Sequence, residues 1–134
     1  MIVVDASLIV QALATNAAQS ATSRRLAEYD DLYAPAHLDA EVGHALRGLV
    51  RGSVLGVEDA LAALDELEAI PIERIPLTGL VHRAFDLRAN MSFYDALYVA
   101  LAESLDQATL LTADSKFLRT PGIQCEIEVV ASGR

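Results

Sequence analysis

The chain has no tryptophan, a single cysteine, a single lysine and only three histidines. Each scarcity excludes something. One cysteine, Cys125, permits neither an internal disulfide nor a multi-cysteine zinc site. It falls in a predicted strand as a small core residue. No apolar run approaches the roughly 18 residues of a membrane span, and the start lacks the basic region of a signal peptide. No membrane association and a cytoplasmic location are therefore expected. Basic residues are also few, with 10 Lys and Arg against 19 Asp and Glu, for a formal net charge of -9. That balance argues against holding nucleic acid by a broad basic surface. A polyanionic substrate would need a bound cation at the site, a few placed arginines, or both. Lys116 is the sole lysine. The remaining basic residues are arginines, suited to bidentate phosphate contacts, although most fit a solvated surface scatter.

What is abundant is apolar: 53% of 134 residues, enough for one domain over residues 1–134 with a substantial core. The chain is organised around its first residues, Met1-Ile2-Val3-Val4-Asp5-Ala6-Ser7. A β-branched run ending on a carboxylate predicts a buried central strand whose last residue emerges at a sheet edge. A short helix follows over Ala6 to Ala14, then a helical stretch from Asn16 to about Tyr29 and a strand Leu32 to Pro35 closed by proline. The order strand, helix, strand implies a parallel sheet. Further helices are predicted from His37 to Leu49 and from Val57 to Leu67, the latter with Val57, Leu61 and Leu64 inward and a solvated acidic outer face. An extended segment from Ile70 to Pro76 suits a strand near the sheet edge, and Thr78 is expected to cap a helix reaching Ala89, stopped by Asn90. The helix opening at Ser92 is apolar all round from Ala96 to Ala102 and must be buried on most sides. Ala108 to Asp114 repeats the opening pattern of an apolar strand ending on a carboxylate. A helical turn Ser115 to Leu118, a last strand Cys125 to Val130 and a mobile tail Ala131 to Arg134 complete the chain.

Four carboxylates stand out, three of them with an ordinary alternative. Asp5 suits an N-cap. Glu41 lies about 60° from the centre of its helix's apolar stripe, at the margin of the core face, where a solvated glutamate is usual. Ser92 and Asp95 make a capping-box-like helix start. Asp114 sits at a strand end, where ligand sites of parallel sheets lie. Asp95 opens the helix leading into the strand that ends at Asp114, which puts its entrance at the opposite end of a simple crossover unless the helix lies obliquely or the loop 103–108 runs back. His37, Glu41 and His44 share a helix face, but a ligand set from one helix lacks the further ligands a metal needs. Ser7 is divided between the helix start and whatever Asp5 faces.

If the acids converge, the cluster needs a cation. Two carboxylates about 6 Å apart repel by roughly 3 kcal/mol at an effective dielectric near 20, so neutralising Asp95 would stabilise the metal-free fold. All candidate donors are hard oxygens, which favours Mg²⁺ or Mn²⁺ over zinc. Such ions meet substrate phosphates and activate water for attack on a phosphodiester.

The order Val3-Val4-Asp5-Ala6-Ser7, then Glu41, then Tyr94-Asp95-Ala96-Leu97-Tyr98-Val99-Ala100-Leu101-Ala102-Glu103, then Leu110-Leu111-Thr112-Ala113-Asp114 resembles the PIN-domain ribonucleases, specifically VapC-type toxins of type II toxin-antitoxin systems. The resemblance covers essentially the whole chain. It implies a three-layer α/β/α fold with a central, mainly parallel sheet, in which Asp5, Glu41, Asp95 and Asp114 form one acidic site. Asp5 and Asp95 would be the principal Mg²⁺ ligands, completed by Glu41 and Asp114, while Ser7 and Thr112 match accessory hydroxyl positions on the substrate side. It further implies RNA cleavage by metal-activated water, inhibition by a cognate antitoxin, and a homodimer. Phe93 stands where a smaller residue is common in related toxins, which bears on pocket width. The competing readings are a non-catalytic interaction domain whose acids are caps, and an aspartyl-phosphate phosphatase or receiver-type module. The phosphatase would want an Asp-x-Asp where Ser7 stands, and the receiver a strand-end lysine.

Overall fold

The computed structural model describes residues 1–14 and 21–130. Five short strands, β1 (Ile2–Val4), β2 (Leu32–Pro35), β3 (Ile72–Ile75), β4 (Thr109–Thr112) and β5 (Glu126–Val129), form one sheet in the order β3-β2-β1-β4-β5. Every neighbouring pair is parallel. The most apolar strands take the middle, where both faces are covered: Val3, Val4, Leu110 and Leu111 are fully buried. β1 is central, with Ile2 opposite Leu32 on one side and Val4 opposite Leu111 on the other. The chain first builds outward from β1 through β2 to β3, then crosses back to add β4 and β5. This reversal opens a crevice at the carboxyl ends of β1 and β4. The strand expected near the edge, β3, is an edge strand and carries the charged pair Glu73 and Arg74.

Among the described residues six helices, α1 (Ala6–Ala14), α2 (Ala21–Ala27), α3 (Leu38–Arg51), α4 (Val57–Ala69), α5 (Val81–Asp86) and α6 (Phe93–Ser104), cover the sheet in a three-layer α/β/α arrangement. α6 lies against β1, β2 and β4 and carries α5; α1 touches β4 and packs with α2, α3 and α4. The all-round apolar stretch Ala96 to Ala102 is buried throughout. Each large aliphatic side chain in it contributes about 2 kcal/mol by leaving water, which fixes α6 firmly on the sheet.

The structure differs from the sequence-based expectations in three places. α4 buries Ala60, Ala63 and Leu67 and leaves Val57, Leu61 and Leu64 exposed, at 60%, 57% and 40%. The helix is apolar over more than half its circumference, and the stripe of small alanines lets it approach α1 and α3 closely. Thr78 lies inside a 3₁₀ turn, Leu77–Gly79, and caps nothing with its side chain; α5 is only six residues long and ends well before Ala89. Of the expected helix from Asn16, residues 16–20 lie outside the described residues, as does the tail 131–134. Among the described residues no helix is long and apolar enough to cross a membrane.

Candidate active site

Asp5 is the residue immediately after β1 and is only 3% exposed. Its carboxylate accepts three hydrogen bonds and keeps acceptor capacity on Oδ2. Oδ1 accepts from Ser7 Oγ at 2.9 Å and from the Leu8 amide at 3.0 Å, and Oδ2 accepts from Thr112 Oγ1 at 2.5 Å. The Leu8 bond is an N-cap for α1, so the capping role is real. The two hydroxyls add a clamp that joins β1 to β4 across the crevice. Burial pushes the Asp5 carboxyl up to about 6, against the opposing pull of the bonds from Thr112, Leu8 and Ser7, with a small further push from Asp95. Thr112 is fully buried, so its hydroxyl acts on Asp5 and on the Asp114 amide, 3.0 Å away, and not on anything in the cavity. Ser7 Oγ also receives the Ala113 amide at 3.3 Å, which ties the start of α1 to the end of β4.

Asp5, Glu41, Asp95 and Asp114 line one cavity of about 870 Å³, together with Ser7 and Lys116. Asp95 lies at the same edge as Asp114, because Lys116 Nζ sits 2.7 Å from Asp95 Oδ2 and 3.2 Å from Asp114 Oδ2. The expectation that α6 enters at the opposite end is corrected by elementary crossover geometry. A helix feeding a parallel strand runs antiparallel to it, so its N-terminus stands where that strand ends. No oblique helix is needed. The capping reading of Ser92 is half right in the same way: Ser92 Oγ accepts from the Asp95 amide at 3.1 Å, while the Asp95 carboxylate reaches Lys116.

Glu41 stands in the first turn of α3, just beyond the carboxyl end of β2. Its Oε1 accepts from the Tyr98 hydroxyl at 2.6 Å and faces His37 Nε2 at 3.3 Å. Partial burial pushes its carboxyl up, but His37, Tyr98 and Lys116 together outweigh it and hold the group below the usual glutamate range. Tyr98 is buried, and its hydroxyl is kept protonated by burial and by Glu41. His37 Nε2 also meets the Tyr94 carbonyl at 3.0 Å, so that nitrogen carries a proton, and buried Nδ1 has no partner among the described residues. The His37 and Tyr98 rings are 4.7 Å apart and form one wall of the cavity.

Three helix N-termini, those of α1, α3 and α6, thus bring Asp5, Glu41 and Asp95 to the carboxyl edge of the sheet, where the positive ends of the helices offset part of the acidic charge. Asp114 caps the following 3₁₀ turn, accepting from the Lys116 amide at 2.9 Å. Glu103, in the same motif as Asp95, pairs with Arg83 at 2.6 Å and is not among the residues lining the cavity. Sequence reasoning missed Lys116, Tyr98 and His37 as parts of the site. For Lys116 a signal existed, since it is the sole lysine and stands two residues after a strand-end aspartate. The partner of Tyr98 is 57 residues away, which no local pattern reveals.

Among the described residues, no three His, Cys, Asp or Glu side chains stand together as a ready-made metal cage. The donor set nevertheless suits a hard cation: it is all oxygen, and an ammonium already bridges two of its carboxylates. The aspartyl-phosphate reading gains nothing, because Ser7 stands where its second aspartate would be and Lys116 lies inside the 3₁₀ turn after Asp114, not at a strand end.

The family model of the PIN domain matches residues 2–123. Ribonuclease VapC1 of Mycobacterium tuberculosis is 46% identical over 129 residues, covering 96% of each chain. Ribonuclease VapC9 of the same organism is 41% identical over 130 residues, covering 97% of this chain and 98% of its own. Among solved structures, VapBC2 from Rickettsia felis bound to a DNA fragment from its promoter superposes with a TM-score of 0.70 at 18% identity, over 97% of this chain and 99% of that one. FitAcB from Neisseria gonorrhoeae gives 0.64 at 18% identity, over 95% and 96%.

Proposed function

We propose that this chain, which belongs to the PIN-domain family and within it to the VapC-type toxins, is a Mg²⁺-dependent endoribonuclease acting as the toxin of a type II toxin-antitoxin module. We infer that residues 1–134 act as one nuclease domain in the cytoplasm. The observation that carries the reading is the cavity lined by Asp5, Glu41, Asp95 and Asp114, with Asp5 clamped between β1 and β4. Asp5 and Asp95 are the principal ligands for Mg²⁺, or Mn²⁺ in its place, and Glu41 and Asp114 complete the set. A bound Mg²⁺ supplies an activated water and positive charge for a phosphodiester.

The rest is done by this chain's own residues. Ser7 and Thr112 hold the Asp5 carboxylate in one orientation, so its oxygens do not have to be ordered during the reaction. His37 and Tyr98 hold Glu41 ionised. Tyr94 is exposed at the cavity and offers a ring face to an RNA base. The site also reconciles a net charge of -9 with a polyanionic substrate, because the cation comes with the site. A cognate antitoxin and a second copy of the chain are the protein partners of this reading; the exposed Val57, Leu61 and Leu64 of α4 are apolar surface free to meet one.

The test is cleavage of RNA by purified, partner-free protein. Cleavage is expected in Mg²⁺ and not in EDTA, and Asp95→Asn is expected to slow it by roughly 100-fold or more, the scale of losing one charge-stabilising group, with an unchanged circular dichroism spectrum. Intact RNA after incubation with the wild type in Mg²⁺, or full activity of the variant, overturns the reading.

A further inference from the structure

Lys116 is not explained by the acids alone. Its ammonium lies within 3.2 Å of two carboxylates that come from different elements, the first turn of α6 and the end of β4. These are two of the four oxygens sets assigned above to the metal. Without a cation, Asp95 and Asp114 would face each other across a cavity already holding Asp5 and Glu41.

We propose that Lys116 is the resident cation of the metal-free site: its ammonium bridges Asp95 and Asp114 until a divalent ion takes those oxygens and displaces it into the cavity. The proposal rests on the metal reading above and goes beyond it in assigning the site an occupant that must leave.

Three features favour exchange over a permanent ion pair. The Lys116 side chain is 47% exposed and has open cavity beside it, so the ammonium can be rehydrated when it leaves. The backbone does not have to move, because the Lys116 amide is separately anchored on Asp114 Oδ1 at 2.9 Å and the 3₁₀ turn stays closed. The residue is lysine in a chain whose other basic side chains are all arginine. A lysine ammonium is a compact, strongly hydrated point charge on a flexible stem, easier to displace than a guanidinium locked bidentately on carboxylates. Once displaced, the ammonium stays in the cavity that receives the RNA, where a phosphate oxygen is its natural new partner.

Because Lys116 is the only lysine, selective ¹³C labelling of lysine places one side-chain signal on this question. Mg²⁺ titration of the wild type is expected to move the Lys116 Cε signal toward that of free lysine, with the midpoint matching the Mg²⁺ affinity read independently by its competition with Mn²⁺ in electron paramagnetic resonance. Lys116→Gln is expected to bind Mn²⁺ about three- to tenfold more tightly, the scale set by releasing a partly exposed ion pair, and Lys116→Arg, which keeps the charge, is expected not to tighten binding. A Lys116 signal unmoved at saturating Mg²⁺ overturns the proposal even if the variants fail to fold. Equal or weaker Mn²⁺ binding by Lys116→Gln overturns it as well. In both cases metal-dependent cleavage by the wild type leaves the functional reading standing. No Mn²⁺ binding by either protein overturns the two together.

Discussion

Replacing Asp5 by Asn removes one charge from the interior with almost no change of shape, and the structure gives the size of the effect. Burial moves the Asp5 carboxyl from its ordinary 3.8 to about 6. An acid raised in the native state makes the fold less stable as pH rises, because between these two values the unfolded chain releases its proton first. The stability present below pH 4 is lost progressively toward pH 6, and well above pH 6 the ionised group costs about 3 kcal/mol. Asn escapes this cost and can still be paired. Its Oδ1 accepts from Ser7 and Leu8 as before, and its Nδ2 donates to Thr112 Oγ1, which turns its own hydrogen toward Ser7 Oγ, 3.3 Å away. Asp5→Asn is therefore expected to melt about 10 °C above the wild type at pH 7.5 in EDTA, from about 3 kcal/mol in a domain of this size, with the gap closing by pH 4. Differential scanning fluorimetry across pH 4 to 8 reads it directly. A variant that melts lower than the wild type at pH 7.5, or a gap that does not shrink on acidification, refutes the reasoning. The sequence alone attaches such stabilisation to neutralising Asp95. The structure moves it to Asp5, because Asp95 is already compensated by Lys116.

Tyr98→Phe deletes the hydroxyl bond to Glu41 while keeping the buried ring. About 1 kcal/mol of stability should be lost in urea unfolding, and with one of the groups that hold Glu41 low removed, the Glu41 carboxyl should titrate at higher pH, read from its own ¹³C carboxyl signal; an unmoved Glu41 titration would detach Tyr98 from the site. Glu41→Gln keeps an acceptor for Tyr98 and His37 but loses the charge. Metal affinity is expected to fall about tenfold or more with little change in melting temperature, whereas an unfolded circular dichroism spectrum would make Glu41 a structural residue.

Capping and site roles, which look like alternatives along the sequence, coincide in space. Asp5 caps α1 through the Leu8 amide and also faces the cavity, and Ser92 caps α6 so that Asp95 is free to do the same. In a parallel α/β domain the helices begin at the edge where the strands end, so a carboxylate chosen for a helix start is already at the place where ligands bind. Each cap signal was thus also a weak site signal.

The buried strands β1 and β4 are legible in the residues alone, because their unbroken apolar runs can only be satisfied between two layers, and so is the buried helix α6, apolar on every side. Three of the four candidate acids, Asp5, Asp95 and Asp114, stand at or just past the ends of those elements, and Glu41 stands in the first turn of α3. Packing in three dimensions settled which face of α4 turns inward, because two apolar stripes compete on that helix and the alanines are buried in place of Val57, Leu61 and Leu64. It alone decided that Lys116 bridges Asp95 and Asp114 and that Tyr98 reaches Glu41. The contacts of Lys116 with Asp95 and of Tyr98 with Glu41 join residues far apart in sequence, beyond any helical or strand period. They depend on how whole elements are set against one another, and local pattern carries no record of that.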